Sequence, residues 1–120
     1  KLPKIFHVNW FRKDDDGKFM WPGFGDNMRA LEWINNRCQG KGESVKTPIG
    51  LVPESNSLNI AGLDIDSGDM QALLSIDAKV WRQEIDEIEA YFDSIGERVP
   101  AELREQARKI KLALEQQLAA

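Results

Sequence analysis

Residues 9–27 read NWFRKDDDGKFMWPGFGDN. This stretch places Trp10, Phe11, Phe19, Trp21 and Phe24 around an Asp16-Gly17 turn and a Pro22-Gly23 break. The two interruptions keep the three phenylalanines off any one continuous face, so Phe11, Phe19 and Phe24 are predicted to converge as the walls of a slot. A flat aromatic ring suits such a slot. Asn27, at the start of the next helix, offers both an amide donor and a carbonyl acceptor, which reading the hydrogen-bonding edge of a base requires.

Working outward, Lys4–Phe11 is rich in β-formers and predicts a buried strand; Lys18–Trp21 resumes after the turn, giving a β-hairpin. Downstream, Gly23-Phe24-Gly25 releases the chain into a helix over about Asp26–Arg37. Met28, Leu31, Ile34 and Cys38 form its apolar stripe, Ala30 and Trp33 widen it, and Gly40 stops it. The free N–H groups at its start would favour a partial negative charge such as a base carbonyl oxygen. Residues 40–68, rich in Gly, Ser, Asn and Pro, read as an irregular connector with a short extended piece around Ile49–Val52.

A short helix is expected over Ser67–Ile76. A longer one, capped by Asp77, carries Val80, Trp81, Ile85, Ile88, Phe92 and Ile95 on its apolar face and ends at Gly96. Pro100 suits the first position of a final helix, in which Leu103, Ala107, Ile110, Leu114 and Leu118 repeat at helical spacing. The fold class is therefore a mixed α/β (α+β) segment, an N-terminal hairpin followed by a mainly helical part. It is divided into residues 1–39, 40–68 and 69–120 of a single segment.

Composition sets bounds on function. The chain has 120 residues, 42% of them hydrophobic, and a net charge of −4. This suffices for one compact core. Residues 1–50 carry nine Lys/Arg against six Asp/Glu and residues 51–120 carry seven against fourteen. The basic half holds the aromatic slot, a weak preference for an anionic ligand. The acidic half argues against a polynucleotide-binding surface, which needs a clustered basic stripe. No run reaches the roughly 18 apolar residues of a membrane span, so a soluble protein is expected.

Other constellations carry less. Asp14, Asp16 and Gly17 could fill the third, fifth and sixth positions of a calcium loop, but Arg12 and Gly23 would occupy the first and twelfth, where carboxylates are needed. A solvated turn is expected instead. His7 is read as a hydrogen-bonded core residue and the lone Cys38 as a small packed side chain, compatible with a reducing compartment. Neither GxxxxGK[ST] nor GxGxxG occurs, so phosphates are not cradled by a glycine loop within these residues.

WPGFGDN after NWFRKD, followed by an amphipathic helix and TPIGLVPE at Thr47–Glu54, resembles the C-terminal portion of GTP-dependent phosphoenolpyruvate carboxykinases. The likeness is specific from Phe6 to Trp33 and collinear through Glu54; beyond that it rests on register and helical character. It implies that Phe11 and Phe24 stack on guanine, that Phe19 lies beside them, and that Phe24, Gly25, Asp26 and Asn27 form the nucleotide-contacting run. Met20, Asp26 and Met28 depart from the residues more usual there.

The resemblance further implies a cytoplasmic, monomeric enzyme of gluconeogenesis that converts oxaloacetate and GTP to phosphoenolpyruvate, carbon dioxide and GDP. Mn²⁺ and Mg²⁺ would assist it through ligands upstream of Lys1. No catalytic or metal residue is expected within the segment, nor any nucleic-acid or membrane partner. The segment, opening on Lys1, reads as excised from a longer chain, inactive alone and prone to self-association through exposed apolar surface. The alternative from the residues alone is a non-catalytic module whose aromatic slot docks a peptide or single-stranded nucleic acid.

Overall fold

The structure, a computed structural model, describes residues 2–119. The elements run α1 (Asn27–Cys38), β1 (Ser44–Thr47), β2 (Gly50–Pro53), α2 (Ser67–Leu74), α3 (Ala78–Ile95) and α4 (Ala101–Ala119). Short 3-10 turns over Phe24–Asp26 and Gly96–Arg98 precede α1 and follow α3. The mixed α/β class expected from the sequence holds. The chain divides into two compact units, Lys1–Lys46 with Leu51–Ser75, and Thr47–Gly50 with Ile76–Ala120.

The first unit is built around Trp33, Leu58 and Met70, all buried, with Phe6, Ile34 and Leu73 packed against them. The Trp33 indole N–H donates to the Glu43 carbonyl at 3.1 Å, satisfying its one polar atom as the ring is buried. Helix α2 starts at a reciprocal capping box. Asp69 N–H donates to Asp66 Oδ1 at 2.8 Å, and Asp66 N–H reaches back to Asp69 Oδ2 at 3.4 Å. At its other end the Arg12 guanidinium donates to the carbonyls of Leu73 (2.7 Å) and Ser75 (3.2 Å). A cation there satisfies terminal carbonyls and complements the helix dipole, and it fastens the aromatic loop to α2.

Four local expectations are corrected. Lys4–Phe11 forms no strand: Phe6 sets its ring edge-on to Trp33 at 6.2 Å and the Lys4 ammonium donates to the Arg37 carbonyl. These contacts give the segment a place along α1 without a sheet partner. Its Ile5 and Val8 are exposed, and so is His7, which is not a core residue. The apolar stripe of α1 is also turned: Met28, Leu31 and Cys38 are exposed, while Trp33 and Ile34 face the core. A large indole buries more area than the smaller chains it displaces. Finally, the connector is less irregular than expected: the extended piece around Ile49–Val52 is present as β2, and it pairs with a strand that was not expected, β1.

The second unit is a helical hairpin of α3 and α4. Ala78, Ile85, Ala107 and Leu114 form its buried centre, flanked by Trp81, Phe92 and Ile110. The expected apolar faces are thus right at their centres, although Val80, Ile88, Leu103 and Leu118 are exposed. Asp77 caps α3 as expected, accepting from the N–H groups of Lys79 (2.9 Å) and Val80 (3.1 Å). Arg104 of α4 donates to the Phe92 carbonyl at 2.9 Å and the Gly96 carbonyl at 3.3 Å, capping the end of α3 from the partner helix. Lys111 lies 2.7 Å from Asp86 and 2.6 Å from Glu89. Its ammonium lowers the Asp86 pKa, chiefly through their hydrogen bond, and its own pKa is raised by the same pair of carboxylates. These pairs are partly solvated and set the register of the hairpin more than they stabilise it.

Candidate functional site

The 9–27 stretch folds as two linked turns. Asp14 organises the first. Its carboxylate accepts from the N–H groups of Asp16 (3.1 Å) and Lys18 (2.8 Å), and its carbonyl accepts from Gly17 N–H at 3.0 Å. Gly17 takes φ 80°, as the sequence requires of a turn residue there. The arms meet in one antiparallel bridge, Lys13 with Phe19, and Met20 N–H donates to the Arg12 carbonyl at 2.9 Å. The hairpin is therefore present, but its ladder is a single bridge. Of the three aspartates, Asp14 is the one whose carboxylate holds the turn, through the N–H groups of Asp16 and Lys18.

Gly23 makes the second turn possible. Its φ of 145° with ψ of −175° lies in a region essentially reserved for glycine, and it starts the 3-10 turn Phe24–Asp26. Asp26 N–H donates to the Gly23 carbonyl at 3.1 Å and Asn27 N–H to the Phe24 carbonyl, so these two backbone donors are used inside the turn. Arg29 then bolts the turn to a distant loop. Its Nε lies 3.3 Å from Asp26 Oδ1, while its NH1 and NH2 groups donate to the carbonyls of Asn59 (2.6 Å) and Ala61 (2.9 Å).

On this frame Phe11 and Phe19 form an edge-to-face pair with centroids 6.0 Å apart and planes at 64°. The Lys13 ammonium sits 5.1 Å from the Phe19 centroid. All three candidate rings are turned to solvent: Phe11 is 72% exposed, Phe19 51% and Phe24 92%. Phe24 stands at the tip of its turn, next to exposed Gly25 and half-buried Asp26 and Asn27. Phe11 and Phe19 are thus brought together; Phe24, Gly25, Asp26 and Asn27 form a separate continuous run. Exposed aromatic rings on a cross-linked loop are the kind of surface a ligand covers.

Trp21 is a neighbour of the candidate residues that the sequence did not single out. Its ring is buried, tilted at 46° to Trp10 with centroids 6.1 Å apart, and its indole N–H donates to Asn27 Oδ1 at 2.9 Å. Aromatic residue type gave no sign that Trp21 belongs to the frame while the phenylalanines face solvent. Among the described residues no group of three or more His, Cys, Asp or Glu side chains comes together to hold a metal ion. No helix is long and apolar enough to cross a membrane among them.

The profile of the phosphoenolpyruvate carboxykinase C-terminal P-loop domain matches residues 1–113. The chain is 45% identical over 119 residues to phosphoenolpyruvate carboxykinase [GTP] of Neocallimastix frontalis, covering 95% of this chain and 19% of that protein. It is 47% identical over 116 residues to the Chlamydia caviae protein of the same name, with the same coverage. It is also 45% identical over 118 residues to cytosolic phosphoenolpyruvate carboxykinase [GTP] of Bos taurus, covering 97% of this chain and 18% of that protein. With a family match over nearly all of its residues, the chain belongs to the GTP-dependent phosphoenolpyruvate carboxykinase family. It spans about a fifth of the length of the curated relatives it matches.

Proposed function

We propose that residues 9–27 form the guanine-recognising face of a GTP-dependent phosphoenolpyruvate carboxykinase, acting within a chain of the relatives' length. That enzyme takes oxaloacetate and GTP to phosphoenolpyruvate, carbon dioxide and GDP, in the cytosol. The observation that carries the reading is the solvent-facing Phe11–Phe19 pair and the fully presented Phe24 on a loop cross-linked by Arg12 and Arg29, ahead of a half-buried Asn27. Family membership supports the nucleotide's identity.

In this reading Phe11 and Phe24 stack on the two faces of the base, with Phe19 closing one side. Each such contact contributes about 1–3 kcal/mol and excludes water from the base. Asn27 supplies the polar contact to the base edge, where a mismatched base leaves a half-buried amide unpaired and is rejected. In this reading the Mn²⁺ and Mg²⁺ that the family resemblance implies would be held by residues outside this segment and would neutralise charge on the transferred phosphoryl group. Phosphoryl transfer, too, is carried out by groups outside this segment, which holds and orients the nucleotide's base.

Replacing Asn27 by alanine tests the assignment. In the full-length protein, the preference for GTP over ATP in kcat/KM is expected to narrow by roughly tenfold, the value of a lost hydrogen bond and the rejection that accompanies it. An unaltered ratio would mean that the Asn27 side chain does not read the base.

A further inference from the structure

We propose that Trp21 is a positioning residue for base selectivity: it fixes the Asn27 carboxamide so that the amide nitrogen, not the carbonyl oxygen, faces the ligand. This rests on the reading that residues 9–27 bind guanine. An asparagine side chain is ambiguous in principle, because either end can be turned to a base edge. An indole N–H, however, can only donate. The 2.9 Å bond from Trp21 Nε1 therefore identifies the Asn27 atom facing it as Oδ1 and uses that acceptor.

What remains is Nδ2 with two donors, which bonds to nothing among the described residues. The backbone N–H groups of Asp26 and Asn27 are already engaged inside the 3-10 turn. Nδ2 is thus a polar side-chain donor left over on the run Phe24–Asn27. A donor there complements the 6-carbonyl of guanine and opposes the 6-amine of adenine.

Trp21 is suited to hold this orientation. It is 6% exposed and packs against Trp10, so its N–H does not trade partners with water. Asn27 itself sits at the first position of α1, with its backbone N–H bonded to the Phe24 carbonyl. Rotation of the carboxamide would leave a buried indole N–H facing an amide N–H, two donors with no acceptor, which is costly. Selectivity for the oxo base is therefore enforced from beneath the site by a residue that never touches the ligand.

The experiment measures GDP and ADP dissociation constants in the full-length protein and its Trp21→Phe, Asn27→Ala, Trp21→Phe/Asn27→Ala and Asn27→Asp variants. In Trp21→Phe the carboxamide is free to turn, and the GDP-over-ADP preference is expected to fall by about two- to tenfold, the range of one hydrogen bond. In the Asn27→Ala background the same substitution should not change the preference further. Asn27→Asp keeps the oxygen that Trp21 holds but puts an acceptor in place of Nδ2, so it should lose GDP preference with the indole bond intact. The Trp21 indole N–H reports that bond: its exchange with solvent should speed up in Asn27→Ala and stay slow in Asn27→Asp, whose carboxylate still accepts from it.

Equal loss of GDP and ADP binding in Trp21→Phe would reduce Trp21 to a packing role and overturn the proposal, as would an undiminished GDP preference in Asn27→Asp. An unsubstituted protein that binds GDP no better than ADP would overturn the guanine reading beneath it, a different result from either of these.

Discussion

Phe24→Ala is expected to weaken GTP binding by about 1–3 kcal/mol in the full-length protein, five- to 150-fold in Kd, with almost no effect on folding. The two halves of that expectation come from the same fact. Phe24 is 92% exposed, so its ring contributes little to the core and truncation should change stability by no more than about 0.5 kcal/mol. An apolar ring of that size kept in water gains its burial only when something covers it. Phe11→Ala and Phe19→Ala should behave differently. Those rings pair edge to face, so removing one alters the other, and their effects on affinity should not add. Equilibrium titration of GTP beside a denaturation curve for each variant separates binding from folding. A Phe24→Ala protein with unchanged GTP affinity would remove Phe24 from the site.

The second large effect lies in the helical hairpin. Leu114→Ala should lower the unfolding free energy by about 2–5 kcal/mol, measured by chemical denaturation. Leu114 has 0% of its surface exposed and sits with Ile85 and Ala107 between α3 and α4. Truncation removes apolar contacts on both helices and leaves a void that close-packed neighbours fill only in part. The matched control is Leu118→Ala, one helical turn further along α4. Leu118 is 53% exposed, and its loss should stay within about 0.5 kcal/mol. Equal losses at the two positions would mean that α4 packs with a different face toward α3.

Which parts of this could be read from the chain follows from how local the signals are. Asp77 ahead of α3 and Gly17 in the first turn were legible, because capping and turn geometry depend on a few adjacent residues. Periodicity placed α1 within one residue of its bounds and included Trp33 and Ile34, which face the core, but it also put Met28, Leu31 and Cys38 there, which are exposed. The helix carries apolar residues on two sides, and only its neighbours Leu58 and Met70 decide that Trp33 goes inward and Met28 outward. Lys4–Phe11 has the composition of a strand, yet composition does not supply a partner edge, and the segment takes its place through Phe6 and Lys4 instead.

The candidate site was legible in its residue types and not in its supports. Arg12 reaches carbonyls 61 and 63 positions away, and Arg29 reaches others at 30 and 32. Backbone carbonyls carry no sequence signature, so nothing in the chain announces such bonds. Trp21 was hidden for another reason: in a stretch crowded with aromatics, only burial separates the indole that holds Asn27 from the rings that face solvent.

The most direct measurement of the central claim is a crystal structure of the full-length protein with GDP bound. The guanine ring is expected stacked between Phe11 and Phe24, with its 6-oxygen accepting from Asn27 Nδ2 while Trp21 still donates to Asn27 Oδ1. A guanine bound away from Phe24 and Asn27, with the 9–27 loop still open to solvent, would contradict it.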